Sequence, residues 1–271
     1  MNLSRIGCST ITLRTLPLGQ ALSRIAAQGI HRIDLGMIAR FCPHLDPFTV
    51  DQASLSEVRQ SLNQHGLAVS SCNTWSLVHL NDPEGLQKEL PYLQASLRVA
   101  QRLGARVVSV QPGRTTSHDQ WETQAKLVVR VLEQLGREAN ALGIRLGIEA
   151  PHKGTLTERF ENALRMVQMT DPKLVGVVLD TSHVQAAGVP IEEALAQYAT
   201  RVCHVHLRDF KDGGPATPGD GDVDFAGVFA GLEQIGYSGD FNLELEYRDL
   251  SPEQIESELS RALEHVHKEV T

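Results

Sequence analysis

A chain of 271 residues with 41 % apolar and 21 % charged residues can build one full hydrophobic core, and it suits a single α/β barrel, which takes about 250 residues. The net charge of −8 argues against a nucleic-acid-binding surface, and no run approaches the roughly 18 apolar residues of a membrane span. The opening Met1-Asn2-Leu3-Ser4-Arg5 lacks the pattern of a signal peptide, so a cytoplasmic location is the default expectation.

Strand-like and helix-like patterns alternate from end to end, the mark of repeated βα units. Residues 6–10 read as the first strand and 18–28 as a helix closed by Gly29; 32–35 form the second strand, with a helix over 55–65 closed by Gly66. Residues 68–71 are the third strand, followed by a long helix over 84–103 that stops at Gly104. The fourth strand is 106–110, with a helix over 120–142, and the fifth is 145–149, with a helix beginning near Thr157. The sixth strand is the run Val175-Gly-Val-Val-Leu-Asp-Thr-Ser-His183, without alternation, as a strand buried on both faces should be. A helix over 191–198, a strand over 202–206, a helix over 225–235, a strand over 241–246 and a closing helix over 252–267 complete the chain. Ser251 is placed to cap the last helix and Pro252 to occupy its first position.

Eight strands and eight helices without a linker make a (β/α)8 TIM barrel, one domain over residues 1–271, the economical reading. The longest irregular pieces, 37–49, 72–82, 111–119 and 209–224, all follow strands, so they should cluster at the catalytic face as a lid or pocket wall. Cys8, Cys42, Cys72 and Cys203 are scattered without a Cys-x-x-Cys pair and read as reduced thiols, Cys203 as core filler.

Four consecutive strands end in groups that bind metals or move protons: Glu149, Asp180, His206 and Glu244. Three carboxylates and one imidazole suit Mn²⁺, Mg²⁺ or Co²⁺, with Zn²⁺ an alternative, and open positions remain for substrate. Such an ion polarises a carbonyl, so proton chemistry beside a ketone or aldehyde follows. Each group has a structural alternative. Asp180 and Glu149 could cap a helix or pair with arginine, Glu246 shares a face with Glu244, and His204 points the same way as His206 and is either core or a support for the site. Just beyond Asp180, His183 reads as a substrate contact rather than a helix cap, and Trp75 as an aromatic face for a sugar or an anchor in the barrel rim. His79 and His118 read as surface residues, and Arg114 and Lys153 as rim charges or anion contacts.

Leu179-Asp-Thr-Ser-His183, Cys203-His-Val-His-Leu-Arg-Asp209, Gly219-Asp-Gly-Asp-Val-Asp224 and Gly236-Tyr-Ser-Gly-Asp-Phe-Asn-Leu-Glu-Leu-Glu246 together resemble the sugar phosphate isomerase/epimerase family, the xylose-isomerase-like barrels. The resemblance implies metal ligands at Glu149, Asp180, His206 and Glu244, Mn²⁺ as the expected ion, and His183 on a substrate oxygen. It also implies acid and base roles for Glu149 and Glu244 on opposite faces of the substrate carbon. The implied activity is isomerisation or epimerisation of a ketose, keto-polyol or sugar phosphate by proton abstraction next to a metal-bound carbonyl. The ketose 3-epimerases carry an arginine six residues after the metal histidine. Here that position is Asp212, leaving Lys211 and Arg208 nearby, and Arg208 becomes the candidate substrate anchor.

The tail Glu244-Leu-Glu-Tyr-Arg-Asp249 resembles inosose dehydratase relatives, which makes loss of water from a keto-polyol the alternative. A remote alternative is the endonuclease-IV-type DNA repair hydrolase with its trinuclear zinc site. It is disfavoured by Gln111 in place of histidine before Pro112-Gly113 and by a loop 219–224 without histidine. The partner expected is a small carbohydrate, neither nucleic acid nor membrane; a homo-oligomer stays open, since no interface is specified.

Overall fold

The computed structural model describes residues 2–39, 41–74 and 80–270. In chain order the strands are β1 (Ile6–Ser9), β2 (Arg32–Gly36), β3 (Ala68–Asn73), β4 (Val107–Val110), β5 (Arg145–Glu149), β6 (Val175–Asp180), β7 (Val202–Leu207), the small hairpin β8 (Asp209–Lys211) and β9 (Gly214–Ala216), and β10 (Phe241–Leu243). All but the hairpin close into one parallel barrel in the order β1-β10-β7-β6-β5-β4-β3-β2. The fold is therefore a (β/α)8 TIM barrel, as the alternating pattern predicts. Every residue of β6 is buried, because helices cover its outer face and side chains fill the barrel behind it.

The helices are α1 (Leu18–Ala27), α2 (Gln52–Gln64), α3 (Pro83–Leu103), α4 (His118–Ala141), α5 (Phe160–Met169), α6 (Thr181–Ala186), α7 (Ile191–Tyr198), α8 (Phe225–Gln234) and α9 (Pro252–Glu269). Each long one turns an apolar stripe inward, as α4 does with Val128, Leu132 and Leu135. The last begins as the sequence predicts, with Ser251 and Gln254 forming a reciprocal capping box and Pro252 at the start.

Four departures from the sequence reading have local causes. The second helix begins three residues earlier than 55, because the Asp51 carboxylate caps it by accepting from Ser54 N at 2.8 Å. The fifth starts at Phe160 rather than near Thr157, whose hydroxyl instead pairs with that of Thr155. The six-residue α6 follows β6 directly, since Asp180 is itself a helix cap. The last barrel strand stops at Leu243, short of 246: its neighbour β1 has already turned into a 3-10 helix, and Leu245 N donates to the Thr12 hydroxyl at 3.0 Å. Among the described residues no helix is long and apolar enough to cross a membrane.

Candidate metal centre and catalytic pocket

The parallel register carries the acidic and basic strand ends to one level. Asp180 pairs with His206 across β6 and β7, and His206 with Asn242 across β7 and β10. Glu149, at the end of β5, is 5 % exposed, Glu244 2 %, and Asp180 and His206 not at all. One donor atom from each of Glu149, Asp180, His206 and Glu244 lies within 4.8 Å of the others, so the four predicted strand ends meet at one point. His206 Nδ1 faces Glu149 Oε1 at 3.4 Å and Glu244 Oε2 at 3.6 Å.

Of the three carboxylates, Asp180 keeps one oxygen without a hydrogen bond, while both oxygens of Glu149 and of Glu244 are engaged by neighbouring side chains. Asp180 Oδ1 accepts from Ser182 N at 2.8 Å, Ser182 Oγ at 2.7 Å and His183 N at 3.2 Å, capping α6, while the buried Oδ2 has no hydrogen-bond partner. One oxygen of Asp180 therefore caps the helix while the other stays without a hydrogen bond, so capping does not use up the side chain. Gln111 Nε2 donates to Glu149 Oε2 at 2.6 Å, leaving Oε1 toward His206, and Asn73 Nδ2 donates to Glu244 Oε1 at 3.4 Å. Three oxygens and one nitrogen fit a divalent cation of hard or borderline character.

Two other groups of acids and imidazoles come close enough to be compared. Asp34, His204 and His206 form one, in which Asp34 and His204 are tied to hydroxyl and amide neighbours while His206 Nε2 has no hydrogen-bond partner. Ser9 and Ser71 donate to the two Asp34 oxygens at 3.0 and 2.6 Å, and Asn242 Nδ2 lies 2.9 Å from His204 Nε2. Asn242 Nδ2 also donates to Ser70 Oγ, whose own proton goes to Ile33 O, and Ser71 Oγ lies 2.9 Å from His204 Nε2, so that ring nitrogen is engaged within this polar layer. His204 is therefore a supporting residue one pleat below His206. The third group, Glu149, His152 and His183, lies beside the first, its two imidazoles in contact at 4.3 Å between centroids with their planes tilted by 54°.

Electrostatics separates the two glutamates. Burial works to raise the Glu149 pKa, but the neighbouring His152, His206 and His183 outweigh it and hold it below the usual carboxylate range. Burial also raises Glu244, here helped by Glu246 and Glu149 against His206 and Arg208, and it is pushed up to about 8. His206 is driven well above its ordinary value, because Glu244, Asp34 and Glu149 overcome the burial that would lower it. His183 is lowered to about 4, chiefly by burial, and is neutral at pH 7. The pocket thus pairs an ionised carboxylate with a protonated one beside an imidazolium.

Residues 22–266 match the model of the xylose isomerase-like TIM barrel family. The chain belongs to this family. An inosose dehydratase of Geobacillus kaustophilus is 26 % identical, the alignment covering 81 % of this chain and 77 % of that one. An inosose dehydratase of Clostridium perfringens is 30 % identical over 48 % of each chain, so the match spans about half of that relative. Among solved structures, D-psicose 3-epimerase in the presence of D-fructose superposes with a TM-score of 0.82 at 16 % identity, covering 98 % of this chain and 99 % of that one. The IOLI protein with a zinc atom gives 0.78 at 23 %, covering 97 % and 95 %. At such identities the structural likeness speaks for the fold alone.

Within this xylose isomerase-like barrel the remaining expected residues fall in several places. Arg208 is buried beside the centre, its Nη1 3.2 Å from Glu244 Oε2, 3.4 Å from Asp180 Oδ2 and 3.5 Å from Glu246 Oε1. Lys211 closes β8 and Asp212 lies in the turn of the hairpin, away from the buried centre. His118, Arg114 and Lys153 are exposed. Trp75 and His79 lie outside the described residues. The 209–224 segment is a fixed wall, since the buried Asp209 carboxylate accepts from the backbone of Phe210, Gly219, Gly221 and Val223 at 2.8–3.0 Å. Cys203 is a free thiol whose sulfur fills space opposite two glycines, where a Cβ on Gly176 would come within 2.6 Å of it. Sequence reasoning missed His152, Asp34 and, as a donor to Glu149, Gln111. The available signals were an imidazole three residues after Glu149 and an acid inside the apolar strand Arg32-Ile-Asp-Leu-Gly36.

Proposed function

We propose that this protein is a divalent-metal-dependent dehydratase of a keto-polyol of the inosose type, formed as one domain over residues 1–271. The observation that carries the reading is the convergence of Glu149, Asp180, His206 and Glu244, each with a donor atom turned to a common point. The likeness to inosose dehydratases supports loss of water over the isomerase or epimerase activity that the sequence alone put first. The four side chains would hold the ion, with Mn²⁺ the expected metal and Zn²⁺ the main competitor. When bound, it would polarise a carbonyl oxygen and stabilise the charge that develops there.

The chain's own groups supply the proton transfers. Glu149, ionised, takes the proton from the carbon next to the carbonyl, and the electron pair left behind expels a hydroxyl from the adjacent carbon. Glu244, whose carboxyl burial pushes toward the protonated form, would give a proton to the departing hydroxyl, so that water leaves. His183, neutral beside Asp180, is placed to hydrogen-bond a substrate hydroxyl. Epimerisation stands second, because two carboxyl groups of opposite pKa shift could also remove a proton from a carbon and return one to it.

Incubation with ketoses and keto-inositols in D₂O, with Mn²⁺ added, separates the two. Loss of water with a new enone absorbance is expected. Deuterium entering beside the carbonyl without loss of mass makes the protein an epimerase or isomerase, and failure to bind metal overturns both readings.

A further inference from the structure

Behind the four strand ends the barrel interior holds a second layer of polar side chains that the reaction does not use. Its centre is Asp34, in the middle of β2 and fully buried. In the barrel order, β1 and β10 stand between β2 and β7, so Asp34 reaches His206 across the interior. Asp34 Oδ2 lies 3.6 Å from His206 Nε2, a fully buried nitrogen with no hydrogen-bond partner. The acid is held from both sides, with Ser9 Oγ donating to Oδ2 at 3.0 Å and Ser71 Oγ to Oδ1 at 2.6 Å. His204 makes no hydrogen bond to it, its Nε2 lying 2.9 Å from both Asn242 Nδ2 and Ser71 Oγ.

We propose that Asp34 is a positioning residue for metal uptake, holding the proton of His206 on Nε2 so that the Nδ1 lone pair faces Glu149 and Glu244. The inference rests on the reading that the four strand ends bind a divalent cation. An imidazole presents only one nitrogen to a cation, and which one is decided by what the other must do. The Asp34 carboxylate stands 3.6 Å behind Nε2, and Nδ1 is the nitrogen that faces Glu149 and Glu244, so the ring is oriented with Nδ1 toward the cation site. A carboxylate so placed makes the ring a more basic donor, and loss of such a partner weakens metal affinity by about 10–100-fold.

Two measurements test this. Asp34→Asn, stripped of metal, is titrated with Mn²⁺ against a chelator: Kd is expected to rise by about 10–100-fold over wild type. A purely structural acid would lower the metal-free melting temperature and leave that Kd alone, so an unchanged Kd overturns the proposal. Should the variant fail to fold, ¹⁵N-histidine-labelled wild type is loaded with ¹¹³Cd²⁺. Coupling of cadmium to His206 Nδ1 with a proton retained on Nε2 is expected, and coupling to Nε2 overturns it. Wild type that takes up neither ion refutes the metal reading itself and the Asp34 role with it.

Discussion

His204 and His206 sit two residues apart on one strand with rings 5.2 Å apart, yet their removal should have opposite consequences for metal. In the metal-free protein His206 is the positive group between Asp34, Glu149 and Glu244. His206→Ala leaves those acids without it, and breaking a buried pair costs about 3–5 kcal/mol. At this chain length that lowers the melting temperature by about 6–10 °C, at roughly 2 °C per kcal/mol. His204→Ala strands the Asn242 and Ser71 groups that meet Nε2 and opens a cavity, costing about 2–4 kcal/mol. Stability alone therefore separates the two poorly, and the response to metal separates them well. With Mn²⁺ at 100 times Kd, binding stabilises the folded state by about 2.7 kcal/mol. His204→Ala should keep that rise of about 5 °C, whereas the melting curves of His206→Ala with and without Mn²⁺ should coincide. A folded His206→Ala that still responds to Mn²⁺, or a folded His204→Ala that does not, would falsify the assignment.

Glu149→Gln and Glu244→Gln should each lower turnover in the D₂O assay by about 10²–10⁴-fold while circular dichroism shows an intact barrel; near-normal activity in either removes that glutamate from the proton transfer. The metal-free protein should lose stability as pH rises from 6.5 to about 8. Over that range His206, raised from 6.5, and Glu244, raised from 4.5 to about 8, bind more protons folded than unfolded. The slope is on the order of 1 kcal/mol per pH unit for each proton, and a melting temperature flat across this range in metal-free protein refutes the electrostatic account. Tyr198 is 1 % exposed and its hydroxyl has no hydrogen-bond partner, so Tyr198→Phe should stabilise by about 1 kcal/mol. A lowered melting temperature would show that the hydroxyl is bonded after all.

The barrel and the four strand ends were legible because a strand buried on both faces has no use for a carboxylate, so Glu149 and Asp180 stood out against Val and Ile. What escaped detection depends on three-dimensional proximity. Asp34 is as anomalous in its strand as Asp180, but it lies mid-strand, and only barrel closure brings β2 opposite β7. His152 follows Ala150 and Pro151 in an irregular turn, where a half-buried imidazole has the same sequence signature as a solvated one. The short α6 was hidden because Asp180 looked like a strand terminus, and it is both that and a cap. Glu246 shared a strand face with Glu244 on paper. In the fold the ladder ends at Leu243, and Glu246 lies toward the rim with 29 % of its side chain exposed.

The charge around the centre also bears on the substrate. Asp34, Glu149, Asp180 and Glu244 are all buried, and the guanidinium among them, Arg208, lies close to two of these and to Glu246. Without metal, the site is balanced by Arg208 and by the protons that the raised pKa values of His206 and Glu244 favour. A divalent cation brings two positive charges to the same place, so it can displace the proton from His206 Nδ1 without leaving the acids uncompensated. In the metal-free protein Arg208 Nη1 is held by three carboxylates. A phosphorylated substrate would need a guanidinium or a ring of backbone amides to meet its charge. The Glu149 side offers instead the imidazoles of His152 and His183, of which His183 is uncharged at neutral pH. Groups of that kind exchange hydrogen bonds with hydroxyls, which favours a neutral keto-polyol over a sugar phosphate.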